Sequence, residues 1–424
     1  MAAAGSPATA DLRAAAPRPL RVLLFSTLFP SESRPLHGVF VETRLRELLK
    51  TGAVEAEVVA PVPWFPSRDP RWGDRARFAA TPAVETRHGV RIHHPRYLLL
   101  PKVGMSTAPL TLALGALSVV RRLQAEGRDF DLIDAHYYYP DGVAAALLAR
   151  WLGKPLLITA RGSDVNLIAE HAVPLRWMRW AARQAGASIG VSAALVRRMA
   201  AIGLPDDRLH VVRNGVDLER FVAHDPAAMR AELGLPADVP LLLTVGNIHE
   251  HKGQRLAIEA LAVLRGGARP QARLLVIGAG PDEAHCRRLA ERLGVAEAVH
   301  WIGQVPNIEL SRWYSAADAL ILASSREGWP NVLLEAMACG APVVASDVGG
   351  VREIVQQPVA GRVVATREAP AFAAALADLL GAAVPRPAVR AYAADFGWDH
   401  TSQTQLGLFA RVRGGACNEA CAHA

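Results

Sequence analysis

The sequence predicts an α/β protein built from two doubly wound, Rossmann-like domains that face each other across a cleft. Three observations carry this reading. Short apolar runs alternate with longer amphipathic ones along most of the chain, the rhythm of parallel strands covered by helices on both faces. The rhythm pauses once, between Asn214 and Asp238, a polar stretch with Pro226 and Pro236, and then restarts. The 424 residues are 51% hydrophobic and 21% charged, enough for two ordinary cores.

In the first series, Arg21–Ser26 is strand-like and leads through a Pro/Gly loop into a helix-like stretch from Val39 to Lys50. Further strands are expected at Glu57–Ala60, Phe130–Ala135, Pro155–Ala160, Ala187–Val191 and Leu209–Arg213. Gly142–Leu152 and Leu195–Ile202 read as helices between them. The second series has strands at Pro240–Val245, Arg273–Ile277, Val299–Ile302, Ala319–Leu322, Pro342–Ala345 and Arg362–Val364. Ala388 to Val412 reads as helix. The expected organisation is a flexible arm over 1–20, domains over 21–213 and 214–390, and a C-terminal helix and tail over 391–424. In such sheets ligands bind beyond the carboxyl ends of the strands, so the cleft is where chemistry is expected.

Composition narrows the function classes. The first twenty residues are Ala- and Pro-rich without a continuous apolar core, an arm rather than a signal peptide. Met105–Val120 is the longest apolar run, contains Pro109 and Gly115, and is short for a membrane span; a buried helix is expected there. Four cysteines make no disulfide framework: Cys286 and Cys339 read as small buried residues, and nothing near Cys417, Cys421 and His423 would order a metal site. Residues 21–215 carry 26 Arg and Lys against 17 Asp and Glu, while 216–424 carry 19 against 22. A basic front half expects an anionic partner, a phospholipid surface or a lipid diphosphate; an Arg-rich surface that is merely soluble is the other reading. Nucleic acid is not expected, since no basic cluster with exposed aromatics forms a recognisable binding motif.

The strongest chemical signal is Ser325–Ile354, SREGWPNVLLEAMACGAPVVASDVGGVREI. It follows a strand, turns at Gly328 and Pro330, and reads as a helix to about Cys339, with Pro330 expected in the first turn. The N–H groups of Asn331, Val332 and Leu333 are then expected to be unpaired and to face the cleft, a seat for a diphosphate. Glu327 before the helix and Glu335 within it bracket that seat and can take hydroxyls on either side. Lys252, at a helix start beside Gly253 in LLLTVGNIHEHKG, can neutralise phosphate.

With these residues the chain resembles the retaining glycosyltransferases of the GT-B fold, in the family 4 group with the E-x7-E pattern, of the bacterial polysaccharide-biosynthesis type. The resemblance runs from about Arg21 to Gly397. It implies that Glu335 takes the ribose hydroxyls of a nucleotide-sugar donor and Glu327 the transferred sugar. The family often carries Arg where this chain has Asn247, so Lys252 becomes the main phosphate contact, helped by Arg161. The loop of Gly303–Pro306, with Val305, resembles the one whose backbone reads the base. Gly38, in FPSESRPLHGVF, is expected to let backbone approach the donor, or simply to make a turn. His136 ends a strand and resembles the cleft histidine that binds the sugar; Asp164 either orients the acceptor hydroxyl or caps the following helix. Tyr137, Tyr138 and Tyr139 are candidates to stack on a sugar, with at least one of them expected to turn into the sheet. Asn214–Gly215 reads as a hinge turn.

The resemblance further implies transfer of a hexose-type sugar with retention, from a UDP- or GDP-sugar to a glycan or lipid-linked acceptor, in cell-surface polysaccharide assembly. No cofactor and no metal are expected. The expected location is cytoplasmic, at the inner face of the membrane, with peripheral contact through the basic N-terminal domain. Two rivals remain: a sugar-nucleotide epimerase of the same architecture, and a non-catalytic sugar-nucleotide-binding or scaffold protein. A nicotinamide enzyme is disfavoured because LLVIGAGP lacks the third glycine of the dinucleotide pattern.

Overall fold

A computed structural model describes residues 18–100 and 104–422, and side chains as far as residue 414. Most of the expected N-terminal arm, and the side chains of Cys417, Cys421 and His423, lie outside the described residues.

The first ten strands are β1 (Leu20–Phe25), β2 (Val54–Val59), β3 (Val62–Pro63), β4 (Val84–Arg87), β5 (Val90–His93), β6 (Arg96–Tyr97), β7 (Leu132–His136), β8 (Leu156–Ala160), β9 (Ala187–Gly190) and β10 (Leu209–Val211). Eight of them form one sheet in the order β10-β9-β8-β7-β1-β2-β5-β4, while β3 and β6 pair separately. All neighbours run parallel except β4 and β5, an antiparallel hairpin through His88–Gly89. That hairpin and the β3–β6 pair were not expected from the sequence, because segments of two to four residues are too short to show a period.

Side chains alternate strictly across the sheet. Leu23, Phe25, Ile133, Ala135, Leu156 and Ile158 pack under the helices Gly104–Ala125, Val143–Leu152 and Ala172–Gln184. Val22, Leu132 and Leu157 pack on the opposite face, against Leu408, Phe409 and Val412 of the long helix Trp398–Ala422. The run expected as a buried helix from Met105 is indeed helical, but amphipathic. Ala108, Leu112, Ala113, Ala116 and Val120 are buried at helical spacing, while Met105, Leu110 and Leu114 stand half exposed.

The second sheet is entirely parallel, with β11 (Leu241–Val245), β12 (Arg273–Ile277), β13 (Val299–Gly303), β14 (Ala319–Leu322), β15 (Val343–Ser346) and β16 (Gly361–Val364). Its order is β13-β12-β11-β14-β15-β16, the 3-2-1-4-5-6 order of a doubly wound sheet. The direction of winding reverses between β11 and β14, so the loops after these two strands part and open a crevice. The polar pause between the two series holds a short helix, Pro226–Glu232, started by Asp225, whose carboxylate accepts from the Ala228 N–H at 2.8 Å.

The chain passes between the sheets twice. The stretch expected as one helix from Ala388 breaks after Ala394; Trp398 then begins the helix that returns to the first sheet. The two crossings pair with each other, the Val216 N–H donating to Phe396 C=O at 2.9 Å. A third link joins the domains. The Glu353 carboxylate accepts from the Ala193 and Ala194 N–H groups, each at 3.0 Å, at the start of the helix Ala193–Ala201, and pairs with Arg213 at 2.7 Å. A residue of the second domain thus supplies the anion that a helix start in the first domain needs. Glu353→Ala is expected to lower stability by about 1 kcal/mol, the cost of a lost N-terminal cap. Denaturant unfolding with an unchanged m-value checks this.

Candidate active site

A cleft of about 460 Å³ lies between the two sheets at the winding reversal. Its second-domain wall comes from the loops after β11, β13 and β14. The loop after β14 carries Glu327 and leads into the helix Asn331–Ala338. Pro330 sits one position earlier than expected, as the N-cap residue. Asn331 and Val332 open the helix, so geometry leaves their N–H groups without intrahelical acceptors. Leu333 departs from expectation: its N–H closes a turn onto Pro330 C=O at 3.1 Å and its side chain is fully buried. The anion seat is therefore two amides wide.

Lys252 reaches across to Glu327, its Nζ 2.8 Å from Oε1. Glu335 is half-buried on the cleft floor, where Tyr314 donates its hydroxyl to Oε2 at 2.9 Å. Burial raises the Glu335 pKa, opposed by the Tyr314 hydrogen bond and by the charge of Arg220. Asn247 and Val305 line the same cleft, together with Arg161 from the first domain. The structure thus brings Arg161, Asn247, Lys252, Val305, Glu327, Asn331, Val332 and Glu335 to one cavity.

His136 is a correction. It ends β7 on the face turned to the helix Trp398–Ala422 and is only 1% exposed. Its Nδ1 accepts from Arg161, and because a guanidinium only donates, the ring proton sits on Nε2 and is given to Asp134 Oδ2 at 3.2 Å. Burial depresses its pKa to about 4, Arg161 and Arg44 add to this, and Asp134 opposes it. A neutral imidazole behind Arg161 cannot touch a sugar; it positions the guanidinium that lines the cleft.

Asp164 is a second correction. It is fully buried, and its carboxylate accepts from the N–H groups of Tyr138 (2.7 Å), Gly162 (2.7 Å) and Arg161 (3.1 Å). It therefore holds the loop that presents Arg161 and cannot face an acceptor. Gly38 is the third. With φ at 71° it caps the helix Val39–Lys50, and a Cβ there would fall 2.3 Å from the Leu28 carbonyl. The turn requires glycine, while its neighbours Leu36, Val39 and Phe40 line the cleft. Of the tyrosine run, Tyr138 and Tyr139 are buried and Tyr137 binds Ser163 through its hydroxyl at 3.0 Å.

The sequence reading missed three cleft residues. Asn214 was read as a hinge turn, yet its side chain joins both walls: Oδ1 accepts from Arg161 (3.2 Å) and Arg44 (3.1 Å), and Nδ2 donates to Asn331 Oδ1 (3.3 Å). Arg220 stands in the cleft with a buried Nε that has no partner, as does Arg161. Trp329 is 6% exposed, with its indole N–H unpaired. The segment VRNGVDLERF holds two of these three, but nothing in its pattern says that the crossing strand lines the cavity. The walls touch where Gly162 meets Gly328: a Cβ on Gly328 would lie 2.3 Å from the Arg161 carbonyl.

Two facing doubly wound domains with a cleft at the reversal are the GT-B architecture of glycosyltransferases. Solved structures share it: sucrose-phosphate synthase from Thermosynechococcus elongatus superposes with a TM-score of 0.72 at 22% identity, covering 94% of this chain and 100% of that one. Anabaena HepE, solved in complex with UDP-glucose, gives 0.65 at 19% identity over 92% and 99%. In sequence, residues 38–220 match the model of Glycosyltransferase Family 4 and residues 225–394 that of Glycosyl transferases group 1. A D-inositol 3-phosphate glycosyltransferase of Frankia alni is 33% identical over 76% of this chain and 85% of its own length. A putative teichuronic acid biosynthesis glycosyltransferase, TuaC of Bacillus subtilis, is 30% identical over 79% and 83%. The chain belongs to the family 4, group 1 glycosyltransferases.

The buried His136 generates a pH prediction. Its depressed pKa means that the unfolded chain binds the proton more readily than the native one. Its contribution is therefore complete above the ordinary value of 6.5 and is lost as pH falls toward about 4. Buried Asp141, raised to about 7, works in the opposite sense over an overlapping range. A difference between wild type and His136→Asn isolates the histidine. The destabilisation caused by the substitution is expected to shrink by about 2 kcal/mol between about pH 7.5 and about pH 5, measured by denaturant unfolding.

Proposed function

We propose that this glycosyltransferase moves a hexose-type sugar with retention from a UDP- or GDP-sugar to a glycan or lipid-linked acceptor, without a metal. The observation that carries the reading is the arrangement at the winding reversal: the Lys252–Glu327 pair stands at the start of the helix Asn331–Ala338, with Glu335 about one turn deeper. A nucleoside diphosphate laid on the amides of Asn331 and Val332 meets Lys252 on one side and places its ribose toward Glu335. The sugar then lies by Glu327, and the base by the loop of Val305. HepE, which binds UDP-glucose, has the same fold. The relative named for teichuronic acid biosynthesis supports a role in building cell-surface glycans.

The place of the family's arginine is taken by Asn247, which brings no charge. Arg161 and Arg220, each with an unpartnered Nε, supply it from the other side of the cleft. As the bond from the anomeric carbon to the phosphate oxygen breaks, these cations and amides stabilise the leaving diphosphate. The acceptor oxygen bonds to that carbon from the same face, and its proton passes to the departing phosphate oxygen. No side-chain base is required, and buried, neutral His136 offers none. Contact between the domains at Gly162 and Gly328 keeps water from the reacting centre.

The test is donor binding and hydrolysis across UDP- and GDP-sugars for wild type, Glu335→Ala, Lys252→Ala and Arg220→Gln. Selective binding to one donor is expected, with turnover reduced on the order of a hundredfold or more in Lys252→Ala. A chelator is expected to leave the rate unchanged, and NMR of the first product to show the donor's anomeric configuration. No binding to any nucleotide sugar overturns the reading; binding without turnover for any acceptor replaces it with a non-catalytic role.

A further inference from the structure

Three helices cover one face of the first sheet: Gly104–Ala125, Val143–Leu152 and Ala172–Gln184. The middle one packs against both others. Together they contain not one Asp or Glu, and they carry six arginines: Arg121, Arg122, Arg150, Arg176, Arg179 and Arg183. Such a composition is unusual for a solvated helical face, which normally mixes both signs. The helix Glu283–Arg292 of the second domain does mix them, and there Arg287 pairs with Glu283 at 2.8 Å.

The same face is apolar where a solvated one is not. Leu110 is 47% and Leu114 54% exposed, one turn apart on the first helix, and Trp151 is 39% exposed on the second. On the third, Trp177 and Trp180 stack edge-on at 5.6 Å within a groove edged by Arg176, Arg179 and Arg183. At the start of the first helix the face continues into an apolar groove of about 660 Å³ between the β3–β6 pair and Met105. Trp64, Leu98, Leu99, Leu100 and Met105 are each about half exposed there. Residues Trp64–Met105 hold eight Arg and Lys against three Asp and Glu, a net +5 of the chain's +7. Two of the three carboxylates, Asp69 and Asp74, pair with Arg71 and Arg77.

Exposed leucines and tryptophans beside an excess of arginines are the chemistry of a bilayer interface. Apolar tips enter the acyl boundary, indoles sit at the headgroup level, and guanidinium groups bind phosphate above them. No single described helix is long and apolar enough to span a membrane. We infer that this face docks on an anionic phospholipid surface, with the groove of Trp64 and Leu99 as its insertion edge and the arginines of the three helices as its headgroup contacts. The groove lies beside the cleft: Arg34, in the loop that leads to cleft-lining Leu36, stacks over Phe78 of the groove at 4.9 Å. Docking by this edge holds the cleft mouth near the bilayer. The inference rests on the surface and not on the transfer reaction.

The test is flotation of the full chain with phosphatidylcholine vesicles, with and without phosphatidylglycerol. Wild type is compared with Trp64→Ser/Leu99→Ser, Arg176→Ser/Arg183→Ser and, on the second domain, Arg288→Ser/Arg292→Ser. Binding is expected only with phosphatidylglycerol and is expected to weaken with salt. Each of the first two pairs should lower the partition coefficient about tenfold or more, and the control pair should leave it unchanged. All substituted side chains are exposed, and thermal melting verifies that each variant is folded. Donor hydrolysis in free solution, read on the same variants, separates a failure of docking from a failure of the enzyme. Absence of binding at low salt, an equal loss in the control pair, or no loss in Trp64→Ser/Leu99→Ser overturns the inference. So does a dimer in sedimentation that Trp64→Ser dissolves, which would assign the face to a second copy of the chain.

Discussion

Asn214 is the point on which both domains close. Its carboxamide oxygen accepts from Arg44 and Arg161, and its nitrogen donates to Asn331 at the start of the helix Asn331–Ala338. Around it runs a buried polar chain. Arg44 Nε donates to Gln405 at 2.7 Å, Gln405 donates to Asp134 at 2.9 Å, and Asp134 accepts a hydrogen bond from His136, which in turn accepts from Arg161. The members come from the helix Val39–Lys50, β7, the loop after β8, the crossing segment and the returning C-terminal helix. Buried charges are tolerated only when paired and hydrogen-bonded, because the desolvation of each is otherwise uncompensated. Gln405 bridges Arg44 and Asp134 directly, and so ties the C-terminal helix to the first domain.

This chain explains why the cleft has its electrostatic character. Arg161 is held from behind by His136 and Asn214 and lies 5.3 Å over the Phe40 ring, so its guanidinium is fixed before any ligand arrives. Burial and neighbouring Arg44 lower its pKa to about 9, which still leaves it charged at neutral pH. Lys252 is held by Glu327 in the same way. A site whose cations are already ordered needs little reorganisation when a diphosphate departs, and that is what makes electrostatic stabilisation effective.

Much of the site was legible because the sequence writes it locally. Glu327, Asn331, Val332 and Glu335 lie on one turn and one helix, so their mutual placement follows from loop length and helical period. The same holds for Asn247 and Lys252, on the loop after one strand. His136 and Asp164 could not be placed this way. A strand end brings a side chain to the edge of the cleft, but the parity of the strand decides which face it takes, and the helix covering that face begins at Trp398. Of the two readings open for Gly38 the structure selects the turn, because the atom its missing Cβ would strike belongs to Leu28, ten residues earlier.

By itself the sequence determined the two βα series, the pause between them and the carboxylates and lysine of the second-domain cleft wall, since each is set by a period or a spacing within one element. It also set the excess of arginine in the front half. Only the tertiary structure decided that Asn214 joins the two walls, that Arg220 lines the same cleft as Asn247, and that the acid-free helices lie side by side. Those facts depend on strand order and on the two domain crossings, which bring together residues far apart in the chain whose proximity no local pattern encodes.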